Sequence, residues 1–419
     1  MALRGIQVLE LAGLAPGPLC GMILADFGAS VIVVDKVGPK LNMNFLSEGK
    51  SSMNVDLKNS KGQEFFRRMV KQSDVLIEPF RAGVMEKLNL SPETLLKDNP
   101  KLIFARLTGY GQSGPYSSKA GHDINYVSLS GLFSLFGWRN KQPTPPANFA
   151  ADFAGGGLSC ALGIVMALFE REKSGQGQVV DASMVEGAAY TGSWFFHSKE
   201  ASFLWSQPRG QNPLDGGAFF YDTYETKDGK WMAVGAVEPQ FYSAALHKLG
   251  IAEESLPQYT GFQKGHEVFA EKFRTKTQNE WCEIFNGDNE CVTPVLSLEE
   301  VADHPHNKSR NSFSRLNNLV IPNPAPKLSR TPGASSALSQ NSKKIRTEDF
   351  IKSLGISEEE ISRLISDGVI EFKFRASKIE EYTTLSKLKQ IMIAVYRRKK
   401  LGQENKMRIY NKEIYFKES

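Results

Sequence analysis

Two residues of this sequence could face one carbon atom from opposite sides. His122 lies in the segment Gly121–Tyr126, which reads GHDINY, and Asp152 follows about thirty residues later, directly before a glycine-rich stretch. A neutral imidazole accepts a proton near neutral pH, and a buried carboxyl group can carry one. The two polar segments therefore indicate a reaction that removes a proton from one face of a carbon and returns it to the other.

Both residues also have a purely structural interpretation. A loop histidine beside an aspartate is often only hydrogen-bonded, and an aspartate before a helix is a favoured N-cap. The setting of Asp152 adds a functional argument, because amides at a helix N-terminus suit an enolate oxygen or a thioester carbonyl. The glycines at 155–157 would let a ligand approach the backbone closely.

Glu238 is a third candidate, in the segment VGAVEPQFY at 234–242. It follows a predicted hairpin strand, and its structural interpretation is an exposed loop acid. Its functional interpretation is a carboxylate that orients His122 and fixes the tautomer of the ring, as the third member of a triad does. That role would place the site between two domains, where pockets are frequent.

Composition sets limits on the fold and on the ligands. The chain has 419 residues, 41% of them hydrophobic, with 36 glycines and 20 prolines, which is typical of an α/β protein. No apolar run reaches the roughly 18 residues that a membrane span needs. The net charge is +5, but the tail from Lys378 holds eleven Lys or Arg against five Asp or Glu. We therefore expect no nucleic-acid partner for the folded body.

The four cysteines are widely spaced and contain no CxxC pair. This pattern predicts a reduced compartment and no structural metal site. They are Cys20, Cys160, Cys282 and Cys291.

Apolar β-branched runs alternate with helical patterns over the first half of the chain. Strands are predicted at 6–11, 31–34, 74–77, 102–107 and 179–183, so we expect a Rossmann-like, mostly parallel sheet covered by helices. The first loop carries Pro16 and Pro18 and lacks the G-x-G-x-x-G pattern, which argues against a nicotinamide cofactor.

The pattern of apolar and polar residues changes near residue 219. Two runs of alternating apolar and polar residues flank Lys227-Asp228-Gly229. They predict a hairpin in a smaller α+β domain. We predict a large domain over 1–195, a small domain over 225–316, a return segment at about 317–377 that completes the large domain, and a basic tail over 378–419.

Several segments together resemble the α-methylacyl-CoA racemase family of the class III CoA-transferase superfamily. They occur in family order over about residues 1 to 330. The matching segments are LAPGP (14–18), LADFGA (24–29), DVLIEPFRAGVMEKL (74–88), GHDINY (121–126), ADFAGGGL (151–158), RGQNPLDGGA (209–218), VGAVEPQFY (234–242) and CVTPV (291–295).

The resemblance implies roles for the candidate residues. His122 and Asp152 would be the two acid/base residues, Glu238 would support His122, and the chain would form a homodimer of interlocked subunits that share each site. No metal or cofactor is implied, because coenzyme A is part of the substrate. The implied CoA-binding residues are Lys36, Val55, Asp56, Leu57, Lys58, Lys87, Gly121, His122, Asp123, Ile124, Asn125 and Tyr126.

The implied activity is the interconversion of (2R)- and (2S)-2-methylacyl-CoA thioesters in branched fatty acid and bile acid intermediate metabolism. One alternative within the superfamily is CoA transfer with Asp152 as the nucleophile, for which no opposed base such as His122 is needed. A second alternative is a catalytically impaired isoform, because Lys344–Thr347 replaces a family motif that resembles Gly-Glu-His-Thr.

The family is expected in peroxisomes and mitochondria. Relatives often end in a peroxisomal address that resembles Lys-Ala-Ser-Leu, whereas here Arg375–Lys378 is internal and the sequence continues to Ser419. A receptor that binds a free C-terminus would not bind an internal copy. We therefore expect peroxisomal targeting to be altered in this chain.

Overall fold

The computed structural model describes residues 1–38, 44–47, 49–287, 289–316, 319–335 and 347–372. The chain divides into two compact units, Met1–Glu371 and Phe372–Ser419. All of the second unit except Phe372 lies outside the described residues, and so does the predicted basic tail over 378–419.

Seven short strands form one sheet. Along the chain they are β1 (Gln7–Leu11), β2 (Ser30–Asp35), β3 (Ser51–Val55), β4 (Val75–Glu78), β5 (Ile103–Thr108), β6 (Gln178–Ser183) and, from the far end of the first unit, β12 (Ile370–Phe372). Their spatial order is β12-β3-β2-β1-β4-β5-β6. The pairs from β3 through to β6 are all parallel, which confirms the expected mostly parallel α/β fold.

Helices connect and cover these strands. They are α1 (Pro16–Asp26), α2 (Ser60–Lys71), α3 (Val84–Lys87), α4 (Pro92–Asp98), α5 (Asp123–Leu129), α6 (Ser159–Ser174), α7 (Met184–Thr191), α8 (Ser193–His197) and α9 (Ser202–Trp205). A π-helical segment, Phe149–Leu158, runs directly into α6, and a short 3₁₀ turn covers Leu132–Leu135.

Helix α2 shows why the sequence folds this way. The side chain of Asn59 caps it by accepting a hydrogen bond from the amide of Lys61. Phe66, Met69 and Val70 recur at helical spacing and are buried, whereas the lysine and arginine residues of the same helix lie toward solvent.

A second core lies around a three-stranded antiparallel sheet. The sheet contains β7 (Tyr221–Glu225), β8 (Trp231–Gly235) and β9 (Val292–Pro294), so the predicted hairpin across Lys227-Asp228-Gly229 is present. Aromatic rings in edge-to-face and stacked contacts fill this core, including Phe219, Tyr224 and Phe273. The remaining elements are α10 (Pro239–Leu249), α11 (Phe262–Phe273), α12 (Gln278–Ile284), α13 (Pro305–Ser309), β10 (Phe313–Leu316) and β11 (Leu319–Pro322), with a 3₁₀ turn at Glu253–Ser255.

The chain then returns to the first sheet through α14 (Thr347–Ser353) and α15 (Glu358–Ser366), which precede β12. The amide of Asp56 donates a 2.8 Å hydrogen bond to the carbonyl of Val369, and Arg68 pairs with Glu360 at 3.0 Å. Met1–Glu371 forms one compact unit, so the predicted domain limits stay predictions.

One helical stretch among the described residues, Phe149–Ser174, is long and apolar enough by length and composition to cross a membrane. Half of its most apolar 18-residue window is buried inside the protein, as in a core helix of a globular fold. This stretch is weak evidence for a membrane span.

Candidate active site

The candidate site lies at the carboxyl edge of the parallel sheet. The chain proceeds from β1 to β2 and β3 on one side and from β4 to β5 and β6 on the other, so the order of the strands reverses between β1 and β4. Ligands of open α/β sheets bind in the crevice at such a switch point. The loops after these two strands meet there, because a Cβ at Gly13 would lie 2.7 Å from the ring of Pro79.

The residues with an implied role in CoA binding fall along this edge. Lys36 follows β2, Val55–Lys58 ends β3 and begins the next loop, and Lys87 ends α3 beyond β4. The segment Gly121–Tyr126 follows β5 and enters α5. The three lysines are exposed, so their ammonium groups are accessible to a phosphate group. Their roles in CoA binding stay predictions.

Asp152 lies within the π-helical segment and not at a helix N-cap, so that part of the prediction is wrong. The N-cap is Asn148, in the left-handed backbone conformation with φ of 64°, and Asp152 occupies the first turn. π-Helical turns are rare and are frequently found at functional sites. Asp152 is 8% exposed and is therefore a buried acidic residue.

Close backbone packing fixes the π-helical segment. A Cβ at Gly155 would lie 2.7 Å from the Cα of Ala188 on α7, and one at Gly157 would lie 2.8 Å from the carbonyl oxygen of Pro16 on α1. Only glycine allows such an approach. The glycines predicted to admit a ligand therefore admit neighbouring helices, and they hold Asp152 against α1 and α7.

Asp123 connects the two candidate catalytic segments. Its Oδ1 atom accepts hydrogen bonds from the amides of Ala151, at 3.0 Å, and Asp152, at 2.8 Å. The amides of Ala151 and Asp152 are therefore occupied by the Asp123 carboxylate. The Asp123 side chain is 2% exposed and points to the π-helical segment.

His122 ends the loop before α5 and is the N-cap of that helix, as expected of a loop histidine. Its backbone is extended, its amide donates to the side chain of Asn125 at 3.1 Å, and its carbonyl accepts from the amide of Asn125 at 2.8 Å. The residue is exposed, and its charge lies within electrostatic reach of Asp152. The two residues are connected through Asp123, which follows His122 and accepts the amide of Asp152.

The surroundings of Asp152 change its acidity. Burial is the largest effect and raises the pKa of Asp152 above its ordinary value. The side chain of Asn148, which donates a 2.8 Å hydrogen bond to Oδ2, lowers the pKa, the negative charge of Asp123 raises it, and the charge of His122 lowers it. The net direction is upward, as required for a carboxyl group that carries a proton in catalysis.

Tyr126 extends the polar side of the site. Its hydroxyl donates to the carbonyl of Gly121, and its ring packs edge-to-face with Tyr110 at 5.0 Å between centroids. Burial, followed by the charges of Tyr110 and Asp152, raises the pKa of Tyr126 to about 12. Tyr126 is therefore a hydrogen-bond donor at neutral pH.

Glu238 belongs to the second core of the chain. It is the exposed N-cap of α10, directly after β8 of the second core. Among the hydrogen bonds of the described residues, none joins Glu238 to His122. Its supporting role stays a prediction.

A buried charge network near Lys87 was missed in the sequence. Arg106 pairs with Glu78 at 3.0 Å and with Glu86 at 2.8 Å. Burial raises the pKa of Glu78 to about 7, against the opposing charge of Arg106, while the hydrogen bond from Arg106 lowers the pKa of Glu86. The available signal was a charged residue inside each of two apolar strands, β4 and β5.

Asn148 was also missed. A signal was available in its position, four residues before Asp152 and after Pro145, Pro146 and Ala147, where a helix start is expected. Within the part of the chain that the structure describes, no group of three or more His, Cys, Asp or Glu residues is arranged to hold a metal ion.

Known proteins share both the sequence and the fold. The chain is 55% identical to the α-methylacyl-CoA racemase of Mus musculus and 52% identical to that of Homo sapiens, in each case over 375 residues that cover 88% of this chain and 98% of the relative. A solved structure of a CaiB/BaiF family protein from Brucella suis matches 84% of this chain and 99% of its own, with a TM-score of 0.70 and 24% identity, which shows the fold. The model of CoA-transferase family III matches residues 3–339. The chain belongs to CoA-transferase family III.

Proposed function

We propose that this chain is a racemase of 2-methylacyl-CoA thioesters. The observation that carries the proposal is the hydrogen bond from the amide of Asp152, a buried residue with a raised pKa, to the side chain of Asp123, which directly follows His122 in the chain. Relatives named α-methylacyl-CoA racemase at 55% and 52% identity support the same reaction.

The chemistry follows from the thioester. Its α-hydrogen is acidic because the electron pair that remains delocalises into the carbonyl group as an enolate. In one direction neutral His122 removes the α-proton, and protonated Asp152 then delivers its own proton to the opposite face of the carbon. In the reverse direction the carboxylate of Asp152 removes the proton and the imidazolium of His122 returns one.

The coenzyme A portion of the substrate would lie along the carboxyl edge of the sheet. Lys36, Lys58 and Lys87 would meet its phosphate groups, and Val55–Leu57 and Gly121–Tyr126 would line the remaining contact. The position of these residues beside the β1–β4 switch point supports this placement. We propose no cofactor beyond the substrate's own coenzyme A. Assignment to branched fatty acid and bile acid intermediates stays a prediction, as do the peroxisomal and mitochondrial compartments.

We further propose that a second copy of the chain completes the site. Helix α6 and the residue before it present a stripe of exposed apolar side chains at helical spacing, which includes Leu158, Leu162, Met166 and Phe169. Met166 is 59% exposed and Phe169 is 65% exposed, and a contiguous apolar face of this kind marks an interaction surface. The stripe continues directly from the segment that carries Asp152, so the copy that covers it would also reach the site.

Glu238 supports a shared site for a separate reason. It is exposed on the second core and makes no hydrogen bond to His122 within one chain. If Glu238 orients His122, the carboxylate of one copy must meet the imidazole of the other. Loss of that contact in a monomer would leave the His122 ring without the carboxylate that sets its tautomer.

The test uses pure (2R)- and (2S)-2-methylacyl-CoA in separate incubations in heavy water. Racemisation predicts deuterium at the α-carbon together with loss of optical purity from either epimer. Movement of CoA to an added carboxylate without α-exchange would instead identify the transferase chemistry, with Asp152 as nucleophile, and would contradict the proposal. His122→Ala should abolish racemisation, whereas the control His306→Ala, an exposed histidine of α13, should leave it unchanged.

A further inference from the structure

We propose that Asp123 is a positioning residue. Its carboxylate keeps His122 and Asp152 in the relative positions from which both can reach the same carbon atom of the substrate. The inference rests on the proposed racemase function and adds a role for a side chain that the family resemblance assigned to CoA binding. It is carried by the two hydrogen bonds that Oδ1 of Asp123 accepts, from Ala151 at 3.0 Å and from Asp152 at 2.8 Å.

The chain connectivity makes this contact a coupling between the two bases. Asp123 directly follows His122 and is the first residue of α5. Oδ1 of Asp123 therefore belongs to the residue next to His122, and it accepts a hydrogen bond from the backbone amide of Asp152. Because both partners are backbone amides, the contact acts on the π-helical turn that carries Asp152 and not merely on a side chain.

Helix α5 is itself held firmly. Val127 is fully buried in the main core, and the ring of Tyr126 lies against Gly109 and Gly121, where a Cβ would collide with it. The far side of the π-helical segment is fixed by Pro16 and Ala188. Asp123 thus joins two elements that are each anchored separately, and it sets the distance between them.

The carboxylate does not face the ligand crevice. Asp123 is 2% exposed, whereas Ile124 and Asn125 on the same turn are exposed. A thioester that contacts Gly121–Tyr126 would meet these neighbours and the backbone before it met the Asp123 side chain. The carboxylate therefore acts through His122 and Asp152 and not on the substrate.

A negative charge at this position also serves the chemistry. Charge-assisted hydrogen bonds from backbone amides are about twice as strong as neutral ones. The charge of Asp123 raises the pKa of Asp152, in opposition to Asn148 and His122. The charge of Asp152 in turn raises the pKa of Tyr126, and the contacts of the segment with α1 and α7, at Pro16 and Ala188, are uncharged.

Two substitutions separate the geometric role from the electrostatic one. Asp123→Asn keeps an oxygen that can accept both amides but removes the charge, and Asp123→Ala removes both. The control is Asp181→Asn, because Asp181 also accepts a backbone amide from another loop, that of Gln112 at 3.1 Å. Each full-length variant is assayed for α-deuterium exchange and racemisation of 2-methylacyl-CoA as a function of pH, with thermal unfolding as a check of the fold.

The expected results differ for each variant. Asp123→Asn should keep KM within about twofold and move the acid limb of the kcat profile down by about one pH unit, since the pKa of Asp152 falls when a nearby negative charge is lost. Asp123→Ala should lower kcat about 100-fold with little change in KM, the loss expected when two catalytic groups are misplaced by about 1 Å. Asp181→Asn should behave as the wild type.

The inference is wrong if Asp123→Asn and Asp123→Ala both fold and keep the wild-type kcat and pH profile, while His122→Ala and Asp152→Asn lose racemisation. In that outcome the proposed function stands and only the role of Asp123 is lost. A wild-type protein that catalyses no α-exchange would overturn the proposed function, and the role of Asp123 with it.

Discussion

The amide of Asp152 donates a 2.8 Å hydrogen bond to Oδ1 of Asp123, the residue next to His122. This single contact joins two segments about thirty residues apart in the chain and brings the two proposed bases to the same edge of the sheet. Under the proposed function, Asp152, whose pKa is raised, and the exposed His122 act on one substrate carbon.

Asn148 should tune the acidity of Asp152 in the opposite direction from Asp123. Its side chain donates to Oδ2 of Asp152 and lowers the pKa of that carboxyl. Asn148→Gly removes the donor and keeps the left-handed backbone, so the acid limb of the racemisation profile should move up by about one pH unit or less. Asn311→Gly, at another left-handed asparagine, is the control. An unchanged acid limb in Asn148→Gly would show that this hydrogen bond does not set the titration.

Close packing between the π-helical segment and α7 should be essential to the site. A Cβ at Gly187 would lie 2.7 Å from the backbone carbon of Gly155, so Gly187→Ala must push the segment away from α7. We expect a loss of about 1–3 kcal/mol in the free energy of unfolding and at least a tenfold loss of kcat, roughly 1.4 kcal/mol in activation free energy. Urea unfolding and the racemisation assay measure the two effects.

The control for that substitution is Gly163→Ala on α6. A Cβ there meets only the end of the Val180 side chain, at 3.0 Å, which can shift more easily than backbone. Its kcat should remain within about twofold of the wild type, because the segment that carries Asp152 does not move. Full activity in Gly187→Ala would contradict the proposed rigid support of Asp152.

The Glu78–Arg106–Glu86 network should contribute a pH-dependent part of the stability. The folded pKa of Glu78, about 7, lies above its unfolded value, so the fold binds the proton more tightly and loses stability as pH rises from about 4.3 through 7. Arg106 limits that loss by pairing with the ionised form. Arg106→Leu should therefore lower the free energy of unfolding by about 3 kcal/mol near pH 8, and by less near pH 5.

Arg67→Leu provides the comparison, because Arg67 pairs with Asp98 on a more exposed surface. Its cost should be about 1 kcal/mol at most, with little difference between the two pH values. Urea unfolding at each pH measures both variants. An Arg106→Leu penalty that is equal at the two pH values would be inconsistent with titration of Glu78 in this range.

The apolar stripe on α6 should hold two copies together. Phe169→Glu places a charge on a side chain that is 65% exposed in one chain, so the folded monomer should tolerate it, whereas a covered interface should not. We expect a shift from dimer to monomer in sedimentation velocity, together with a loss of racemisation. Leu298→Glu changes a side chain that is 82% exposed on another part of the surface and should do neither. A Phe169→Glu protein that stays dimeric and active would place the interface elsewhere.

The sequence indicated the parallel strands because their β-branched runs are continuous and buried, and it indicated the β7–β8 hairpin from its turn residues. Strands β3 and β12 were not recognised, since Ser51–Val55 is half polar and Ile370–Phe372 joins the sheet only through a pairing more than 300 residues away in the chain. Such non-local pairings leave no local pattern.

His122 and Asp152 were identified from residue type, glycine context and family resemblance, but their backbone geometry was not. The π-helical turn depends on contacts of Gly155 and Gly157 with α7 and α1, which are distant in sequence. The use of Asp123 as an acceptor for two amides depends on the same packing. An aspartate before a helical pattern is typical of an N-cap. That local pattern does not reveal a π-helical turn or a carboxylate that accepts two amides from a distant segment.

The most direct test of the two-base mechanism compares single-base variants with each epimer in heavy water. If His122 and Asp152 lie on opposite faces, His122→Ala and Asp152→Asn should both lose racemisation, and each should retain slow α-deuterium exchange, with retention of configuration, for a different epimer. This is expected because the remaining base still reaches only one face of the α-carbon. Exchange of the same epimer by both variants, or undiminished racemisation by either one, would contradict the mechanism.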